Sequence, residues 1–263
     1  MPPPSTPPDD RSFVISLSRG LEVLGCFRSG DKLLGNQEIA QRCGLPKSTV
    51  SRITHTLTAL GYLIHVPEQS KYRLGTATLT LGSSMLSRLD VRRIARPWMR
   101  KLATSVGAEV ALATRDRQHM VYLEHCPSPS YTQNKLDMGS RLPLATSAIG
   151  RAWLAASPAA ERQQALDYLR IHAPDQWQSV QAQLPLWPSP GNLPKPWLTT
   201  SMGEWIAATN AIALAFSPRR GLPLMAISLG GPERYVNVET LRHQGIPALQ
   251  RMVHFLQQEI DRA

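Results

Sequence analysis

Apolar residues in the first quarter of the chain recur every three to four positions over three short segments, the spacing that predicts amphipathic helices. A sharp turn, Gly44-Leu45-Pro46, separates the second segment from the third. Two strand-like segments on either side of a polar turn then predict a hairpin. The predicted helices span residues 18–28, 36–43 and 46–60, and the predicted strands span residues 62–66 and 71–74. This order is typical of a winged helix-turn-helix, which places one helix in the major groove of DNA.

The third predicted helix has two chemically different faces. Its apolar positions, expected to pack inward, are Val50, Ile53, Leu57 and Leu60. The opposite face is polar or basic and holds Lys47, Ser48, Thr49, Ser51, Arg52 and His55. Such side chains contact phosphates or the edges of bases, whereas Lys71 and Arg73 on the hairpin are placed for the DNA backbone. The alternative is an ordinary solvated helix face, which the adjoining turn and hairpin make less favoured.

The rest of the chain alternates between helical and strand-like patterns. After a connecting helix over residues 76–89, helices are predicted at residues 91–105, 148–156, 160–170 and 238–262, the last bent near Pro247. Strands are predicted at residues 110–114, 120–124, 212–216 and 224–229. Residues 172–204 are rich in proline and tryptophan and are expected to form a packed, irregular excursion. Helices that alternate with antiparallel hairpins favour an α+β domain over a doubly wound sheet.

The predicted fold class is therefore α+β in two domains. A winged helix-turn-helix domain over residues 11–75 is joined by a linker helix, residues 76–90, to an effector domain over residues 91–263. Residues 1–10 contain five prolines and two acidic residues, which predicts a disordered tail.

The chain has 263 residues and a formal net charge of +10, which favours an anionic partner. Residues 11–75 hold nine Lys or Arg against four Asp or Glu, so about half of the excess lies around the predicted DNA-binding motif. A generally basic protein is the alternative. Three widely spaced cysteines (Cys26, Cys43 and Cys126) argue against a disulfide framework and favour a cytoplasmic location. No run of 18 apolar residues is present, so no membrane partner is expected.

Motifs for catalysis are lacking in the sequence. Residues 44–49 resemble the end of a phosphate-binding loop, but Pro46 stands where a glycine N–H is required. Neither a G-x-S-x-G elbow nor a dinucleotide-binding glycine motif occurs. His119, His125 and Cys126 fit no zinc spacing and are interpreted as ordinary residues. We therefore expect no catalytic residues, no metal and no cofactor, and hence not an enzyme.

Three regions of the chain resemble the IclR family of bacterial transcriptional regulators. The amino-terminal match consists of residues 18–24, 45–52 and 60–63. A second match, residues 141–152, resembles the effector-domain signature of the family, and a third, residues 226–234, resembles a late strand and turn. The three regions follow each other in the order found in the family, which makes the resemblance far more specific than a helix-turn-helix alone.

The resemblance implies a GAF-like effector domain that binds a small metabolite, often an organic or aromatic acid. It also implies a homodimer formed through the DNA-binding half, often paired into a homotetramer. By the matching motifs, the effector-binding residues would be Ala145, Thr146, Ser147, Gly150 and Ser228. The alternative is that Thr146 and Ser147 simply cap the following helix, and both roles are compatible.

The chain departs from the family pattern before its penultimate predicted strand. The proline- and tryptophan-rich segment ending at Glu204 replaces an acidic, glycine-containing stretch, and Ala211 stands at a position that is often cysteine. Two alternatives follow for this region: Trp197 and Trp205 narrow the pocket, or the site is distorted and binds nothing.

The leading hypothesis is a cytoplasmic, ligand-responsive regulator. It would bind double-stranded operator DNA through helix 46–60 and wing 62–74 and sense a small organic-acid-like molecule. Three alternatives stay open: an effector-blind regulator, an enzyme that carries a winged helix, and a winged helix used for protein contacts.

Overall fold

The computed structural model describes residues 12–28, 30–86, 90–131, 136–187, 197–218 and 222–262. Contacts divide the chain into two units, Met1–Arg88 and Leu89–Ala263. The expected tail, residues 1–10, lies outside the described residues. The four-part division drawn from the sequence stays a prediction.

The amino-terminal unit contains three mutually packed helices, a small antiparallel sheet and a fourth helix that follows the sheet. Strand β3 lies in the middle of this sheet and pairs with β1 and β2. The helices are α1 (Ile15–Gly25), α2 (Asn36–Cys43), α3 (Lys47–Ala59) and α4 (Thr76–Leu86). The strands are β1 (Leu34–Gly35), β2 (Leu63–Val66) and β3 (Lys71–Leu74), with a 3-10 turn at Pro67–Gln69. The fold is the predicted winged helix-turn-helix.

The turn of the helix-turn-helix depends on Gly44. Its φ of 66° lies in the left-handed region, which glycine adopts without the steric cost that a Cβ imposes. Gly44 ends α2, and Pro46 stands just before the first residue of α3. The core beneath the turn is apolar and consists of Val23, Leu34, Ile39, Val50, Leu57 and Leu63.

Helix α1 begins earlier than the sequence predicts, whereas α2 begins at the predicted residue. Helix α1 begins at Ile15, three residues before residue 18. Gly35 precedes α2 as its cap, and Glu38 Oε2 accepts the Gly35 N–H at 2.8 Å. Asn36 lies within α2, where its Oδ1 accepts the Thr54 hydroxyl at 3.1 Å.

The carboxyl-terminal unit contains a six-stranded antiparallel sheet with the strand order β6-β5-β4-β9-β8-β7. Its strands are β4 (Glu109–Asp116), β5 (His119–Cys126), β6 (Arg141–Pro143), β7 (Leu198–Met202), β8 (Thr209–Phe216) and β9 (Met225–Pro232). Its helices are α5 (Asp90–Val106), α6 (Ala148–Ala156), α7 (Ala159–His172), α8 (Pro174–Gln181), α9 (Val238–Thr240) and α10 (Ile246–Arg262). The unit is α+β, as predicted.

Small residues bring helix α6 close to the sheet. The core that surrounds α6 includes alanines from β4, β8 and β9, namely Ala111, Ala113, Ala213, Ala215 and Ala226. These residues alternate along their strands, so they share one face of the sheet. Helices α5 and α10 also contact strands of this sheet.

The proline- and tryptophan-rich segment is more regular than expected. It contains helix α8, a 3-10 turn at Leu184–Leu186 and the edge strand β7. The last helical region is interrupted by a π-helical segment at Leu241–Gly245, shortly before Pro247, and the predicted bend at that proline stays a prediction. Proline has no N–H to continue the ladder of a preceding helix, which accounts for the interruption. Within the described residues, we find no helix with the length and apolarity needed to cross a membrane.

Candidate functional site

The polar face predicted for α3 is open to solvent along most of its length. Lys47, Ser48, Ser51, Arg52 and His55 are exposed, and Thr49 is half-buried. The proposed DNA-contacting side chains are therefore accessible. Their role in binding stays a prediction.

The buried face of α3 differs from the expected stripe at two positions. Val50 and Leu57 are buried, but Leu60 is 62% exposed because it follows the last helical residue, Ala59. Thr54 is fully buried instead. Its hydroxyl lies 3.1 Å from both Asn36 Oδ1 and Ser51 O, so the polar group is satisfied inside the core.

The two basic residues of the wing are placed differently. Arg73 is exposed, whereas Lys71 is half-buried and its Nζ lies 3.3 Å from Glu38 Oε2. Lys71 therefore links β3 to α2 as well as carrying charge. This pair is partly solvated, so its contribution to stability is small.

A second ion pair holds the start of the helix-turn-helix. Arg42 of α2 donates to both carboxylate oxygens of Asp31, at 2.5 and 3.1 Å, and to Cys26 O at 3.0 Å. The hydrogen bonds from Arg42 hold the pKa of Asp31 below its usual value. Helix α2 is thereby fastened to the segment that follows α1.

The second unit contains a cavity of about 410 Å³ between the sheet and the start of α6. Its floor is made mainly of small or polar residues on β4, β5, β8 and β9, namely Glu109, Ala111, Tyr122, Ala211, Ser228 and Gly230. Glu109 pairs with Gly230, and Ala111 pairs with Ser228. Because the small side chains do not fill the space beneath the helix end, the cavity stays open.

One wall of the cavity is the amino-terminal end of α6. Ser147 caps this helix, since its Oγ accepts the Gly150 N–H at 3.1 Å and donates to Pro143 O at 2.5 Å. Ala148 and Ile149 follow on the same wall. The first N–H groups of a helix have no acceptor within the helix and favour an anion. An anionic group in the cavity would therefore be stabilised there.

Strand β7 is fastened to the start of α6 by side-chain hydrogen bonds. Ser201 Oγ donates to Thr146 O at 2.6 Å, and Thr199 Oγ1 donates to Ala148 O at 2.7 Å. The loop after β7 forms another wall of the cavity through residues 205–208. The position of that loop is therefore coupled to the position of the helix end.

The effector residues inferred from the family resemblance divide into two groups. Ser147 and Ser228 line the cavity. Ala145 and Gly150 are buried behind the wall, and Thr146 is half-buried beside Ser201. Ser147 caps the helix and also lines the cavity, so the capping role is observed and is compatible with the predicted effector role. Effector binding by these five residues stays a prediction.

Glycine is required at position 150 because α6 approaches another backbone segment closely. A Cβ added at Gly150 would lie 2.4 Å from Leu144 O, well inside van der Waals contact. The glycine therefore sets the distance between the helix start and the segment after β6.

Sequence reasoning missed five polar lining residues, namely Glu109, Tyr122, Ser201, Thr209 and Arg234. Glu109 could have been recognised as a candidate, because it is a charged residue at the start of an otherwise apolar strand. Burial, and then the charge of Glu109, raise the pKa of Tyr122, while a hydrogen bond with Ser228 lowers it. Tyr122 therefore remains a neutral phenol at physiological pH.

The structure also shows where the two tryptophans and the candidate metal ligands lie. Trp205 lines the cavity, whereas Trp197 is 37% exposed just before β7. His125 Nε2 lies 3.4 Å from Glu109 Oε2, and Cys126 is buried. Among the described residues, no cluster of three or more His, Cys, Asp or Glu side chains is arranged to hold a metal ion.

Family models match both parts of the chain. Residues 16–67 match the IclR helix-turn-helix domain, and residues 83–175 match the C-terminal domain of the bacterial transcriptional regulator IclR. The HTH-type transcriptional regulator TsaQ1/TsaQ2 of Comamonas testosteroni is 36% identical over 250 residues, which cover 94% of this chain and 89% of that protein.

Solved structures show the same relationship. An IclR family transcriptional regulator from Brucella abortus is 39% identical and has a TM-score of 0.79, over 95% of this chain and 94% of that one. An IclR homologue from Microbacterium hydrocarbonoxydans, solved with 4-hydroxybenzoate, is 20% identical with a TM-score of 0.66, over 94% of this chain and 100% of that one, and shares the fold. The chain belongs to the IclR family of transcriptional regulators, with an amino-terminal DNA-binding domain and a carboxyl-terminal effector domain.

Proposed function

We propose that this protein binds operator DNA through α3 and the β2–β3 wing, and that an organic acid in the carboxyl-terminal cavity changes that binding. The observation that carries the proposal is a cavity of about 410 Å³ whose wall contains the amino-terminal end of α6. This volume lies in the range of small-molecule sites.

The DNA-binding part of the proposal rests on accessible cations and hydroxyls. Arg52 and Lys47 are exposed on α3, and Arg73 is exposed on the wing. Arginine recognises guanine edges through paired hydrogen bonds, whereas contacts to phosphates position the protein. Homodimers or homotetramers would present two such helices to the half-sites of one operator.

The effector part rests on the chemistry of the cavity wall. Leu142, Ile149 and Trp205 supply apolar surface for a hydrocarbon or aromatic body. The proton of Ser147 is committed to Pro143 O, so the N–H groups at the start of α6 are the better donors for a carboxylate. The related structure with 4-hydroxybenzoate supports an aromatic acid as one member of this class.

Regulation requires that the acid bind one arrangement of the protein better than another. The cavity wall includes both the start of α6 and the loop after β7, and Arg151 of α6 donates a hydrogen bond to Glu204 in that loop. A ligand that contacts both elements would favour one arrangement of the wall. We propose that the affinity for operator DNA depends on which arrangement of the cavity wall the protein adopts.

The test uses the full chain. Duplexes are selected from a random pool by the immobilised protein, and their affinity is then measured by fluorescence anisotropy at several salt concentrations, with and without benzoate. We expect binding that weakens steeply with salt and changes on addition of the acid. Absence of salt-sensitive binding would contradict the DNA-binding proposal.

A cavity variant separates the effector from a general effect of the acid on DNA binding. Ala211 lines the cavity, so Ala211→Leu should occupy part of the space and weaken benzoate binding in calorimetry. Lys101→Ala, on exposed surface of α5, is the matched control. Normal DNA binding with no response to any organic acid would instead support an effector-blind regulator.

A further inference from the structure

We infer that Cys26 and Cys43 form a redox modification site, in which a peroxide converts the two thiols into a reversible disulfide and thereby weakens DNA binding. Formation of the disulfide does not depend on the proposed function, whereas its effect on DNA rests on it. The site belongs to the amino-terminal unit and shares no residue with the cavity of the other unit.

The two cysteines are held face to face at the ends of two helices. Cys26 follows the last residue of α1, and Cys43 is the last residue of α2. The Cys43 thiol lies 3.6 Å from Glu22 O, on the helical turn that leads to Cys26. Arg42 Nη1 donates to Cys26 O at 3.0 Å. Both cysteines pack against the amino-terminal core, and a hydrogen bond joins their thiols.

The two thiols differ in acidity, which gives them different roles. The hydrogen bond between the thiols lowers the pKa of Cys43, and the positive charge of Arg42 acts in the same direction. The same hydrogen bond, followed by burial, raises the pKa of Cys26. Because the thiolate is the form that attacks an oxidant, Cys43 is the nucleophile. Cys26 is then the neighbouring thiol that completes the disulfide.

Solvent can reach this pair of thiols, unlike the third thiol of the chain. Cys26 and Cys43 are half-buried, and Gly44, directly after Cys43, is exposed. Reactive cysteines lie in partly exposed, electropositive surroundings, whereas fully buried ones are inert. Cys126 is 2% exposed on β5, and burial raises its pKa to about 11. We therefore expect Cys126 to stay reduced under conditions that oxidise the pair.

The oxidation proceeds in two balanced steps. The Cys43 thiolate attacks one oxygen of hydrogen peroxide, the O–O bond breaks, and the departing hydroxide takes up a proton to become water. Cys43 is then a sulfenic acid. The Cys26 sulfur attacks the Cys43 sulfur, the S–O bond breaks, and the thiol proton leaves with the hydroxyl group as a second water. A thiol reductant reverses the reaction by thiol–disulfide exchange and is itself oxidised.

The disulfide would act on the turn that positions α3. Cys43 is followed directly by Gly44, and α3 begins just beyond this turn at Lys47. The sulfur atoms of a disulfide lie much closer together than those of hydrogen-bonded thiols, so oxidation draws the end of α2 toward the end of α1. Because protein cores are closely packed, such a shift is transmitted to α3. We expect the oxidised protein to bind DNA about tenfold more weakly, a typical size for coupling between two sites.

The first part of the experiment tests the bond itself. The reduced full chain is treated with a slight excess of hydrogen peroxide, the remaining thiols are alkylated, and the peptides are mapped by mass spectrometry without reduction. We expect a pair of peptides joined through Cys26 and Cys43, an alkylated Cys126, and reversal by dithiothreitol. The chain should migrate as a monomer in a non-reducing gel. Absence of the joined peptides, or oxidation of Cys126 before Cys43, would overturn the inference.

Serine variants test the role of each thiol. Cys26→Ser should leave a sulfenic acid at Cys43, which dimedone traps. Cys43→Ser should give neither the disulfide nor a dimedone adduct at Cys26, and the opposite pattern would contradict the assigned roles. Cys126→Ser is the matched control and should form the disulfide as the wild type does. Because the wild-type peptide map is decisive by itself, loss of folding in a variant does not remove the test.

The second part measures DNA affinity by fluorescence anisotropy on the selected duplex. Wild type and Cys126→Ser should bind about tenfold more weakly after oxidation and regain their affinity on reduction. Cys43→Ser should bind equally with and without peroxide. Equal affinity of the reduced and the disulfide-bonded wild type would overturn the regulatory role. If the reduced protein binds no DNA, the proposed function and the regulatory role are both contradicted, and the peptide map still decides whether the modification site exists.

Discussion

The guanidinium of Arg151 donates to Glu204 Oε2 at 2.6 Å and thereby joins helix α6 to the loop that walls the cavity. Arg151 is 1% exposed, and its other donors reach Ala145 O at 2.6 Å and Thr200 O at 2.8 Å. Glu204 also accepts the Met202 N–H at 3.2 Å. One buried cation thus ties together the helix start, strand β7 and the loop before β8.

Replacing Arg151 should destabilise the carboxyl-terminal unit strongly. Arg151→Met leaves the carbonyls of Ala145 and Thr200 without their donor, and a buried unsatisfied group costs about 1–3 kcal/mol. We expect a loss of at least about 2 kcal/mol of unfolding free energy, measured by urea denaturation. Glu204→Gln should cost much less, because Glu204 is 40% exposed and both carbonyl contacts remain. Equal losses in the two variants would contradict this assignment.

Gly150→Ala should lower the stability of the same unit and weaken acid binding. The added Cβ would meet Leu144 O at 2.4 Å, and both atoms belong to constrained backbone. Forcing them apart should cost about 1–3 kcal/mol and displace the start of α6. Gly82→Ala in α4 is the control, because its Cβ would meet nothing within 4 Å. That variant should gain stability through helix propensity. Thermal denaturation compares the two.

Arg52→Ala should weaken operator binding by about 1–3 kcal/mol and relax the preference at one base pair, if the exposed guanidinium contacts a base edge. The measurement is fluorescence anisotropy on the selected duplex and on its single-base variants. Unchanged affinity and unchanged sequence preference would refute this role for Arg52.

Arg73→Ala and Lys71→Ala test the wing. Both should weaken binding to all sequences similarly and lower the salt slope by about one phosphate contact. Lys71→Ala should have an additional effect on the wing itself, because its Nζ lies 3.3 Å from Glu38 Oε2. Glu38→Gln separates the effects, since it releases Lys71 without removing its charge. If neither Arg73→Ala nor Lys71→Ala changes the salt dependence of DNA binding, the wing makes no phosphate contacts through these residues.

The Asp31–Arg42 pair should make the amino-terminal unit sensitive to acid. Arg42 lowers the pKa of Asp31 in the folded state, so the unfolded chain binds that proton more tightly. The stabilisation is therefore present above the ordinary Asp value of 3.8 and is lost as the pH falls through and below it. Asp31→Asn should be less stable than wild type at pH 6, by about 1 kcal/mol, and the difference should shrink near pH 3. Urea denaturation at both pH values measures this, and a difference independent of pH would contradict it.

Local sequence signals predicted several elements well. Helix α2 and helix α6 occupy the predicted residues 36–43 and 148–156. Strand β3 also matches its prediction, at residues 71–74. In each case the residues that begin or end the element, such as Gly44, are neighbours in sequence. The information needed was therefore contained within a few positions of the chain.

The sequence prediction failed at β7 and at Thr54 for a common reason, which is that polar residues were assumed to face water. Strand β7 was missed because its inward-facing residues, Thr199 and Ser201, are polar and bond to carbonyls near the start of α6. Thr54 is fully buried, although it was not among the residues of α3 expected to pack inward. These hydroxyl groups donate hydrogen bonds to acceptors that lie far away in the sequence. A local sequence pattern therefore cannot indicate that the hydroxyls have partners.

The sequence by itself determined the fold class, the basic face of α3 and the capping of α6 by Ser147. These features follow from periodicity and from contacts a few residues long. The tertiary structure decided that Glu109 enters the cavity and that Arg151 holds its wall. Glu109 is placed by strand pairing with Gly230, and Arg151 by acceptors on β7 and the following loop. Partners so distant along the chain meet only when the sheet and helix pack together, because their burial and hydrogen bonding exist only in that packed state.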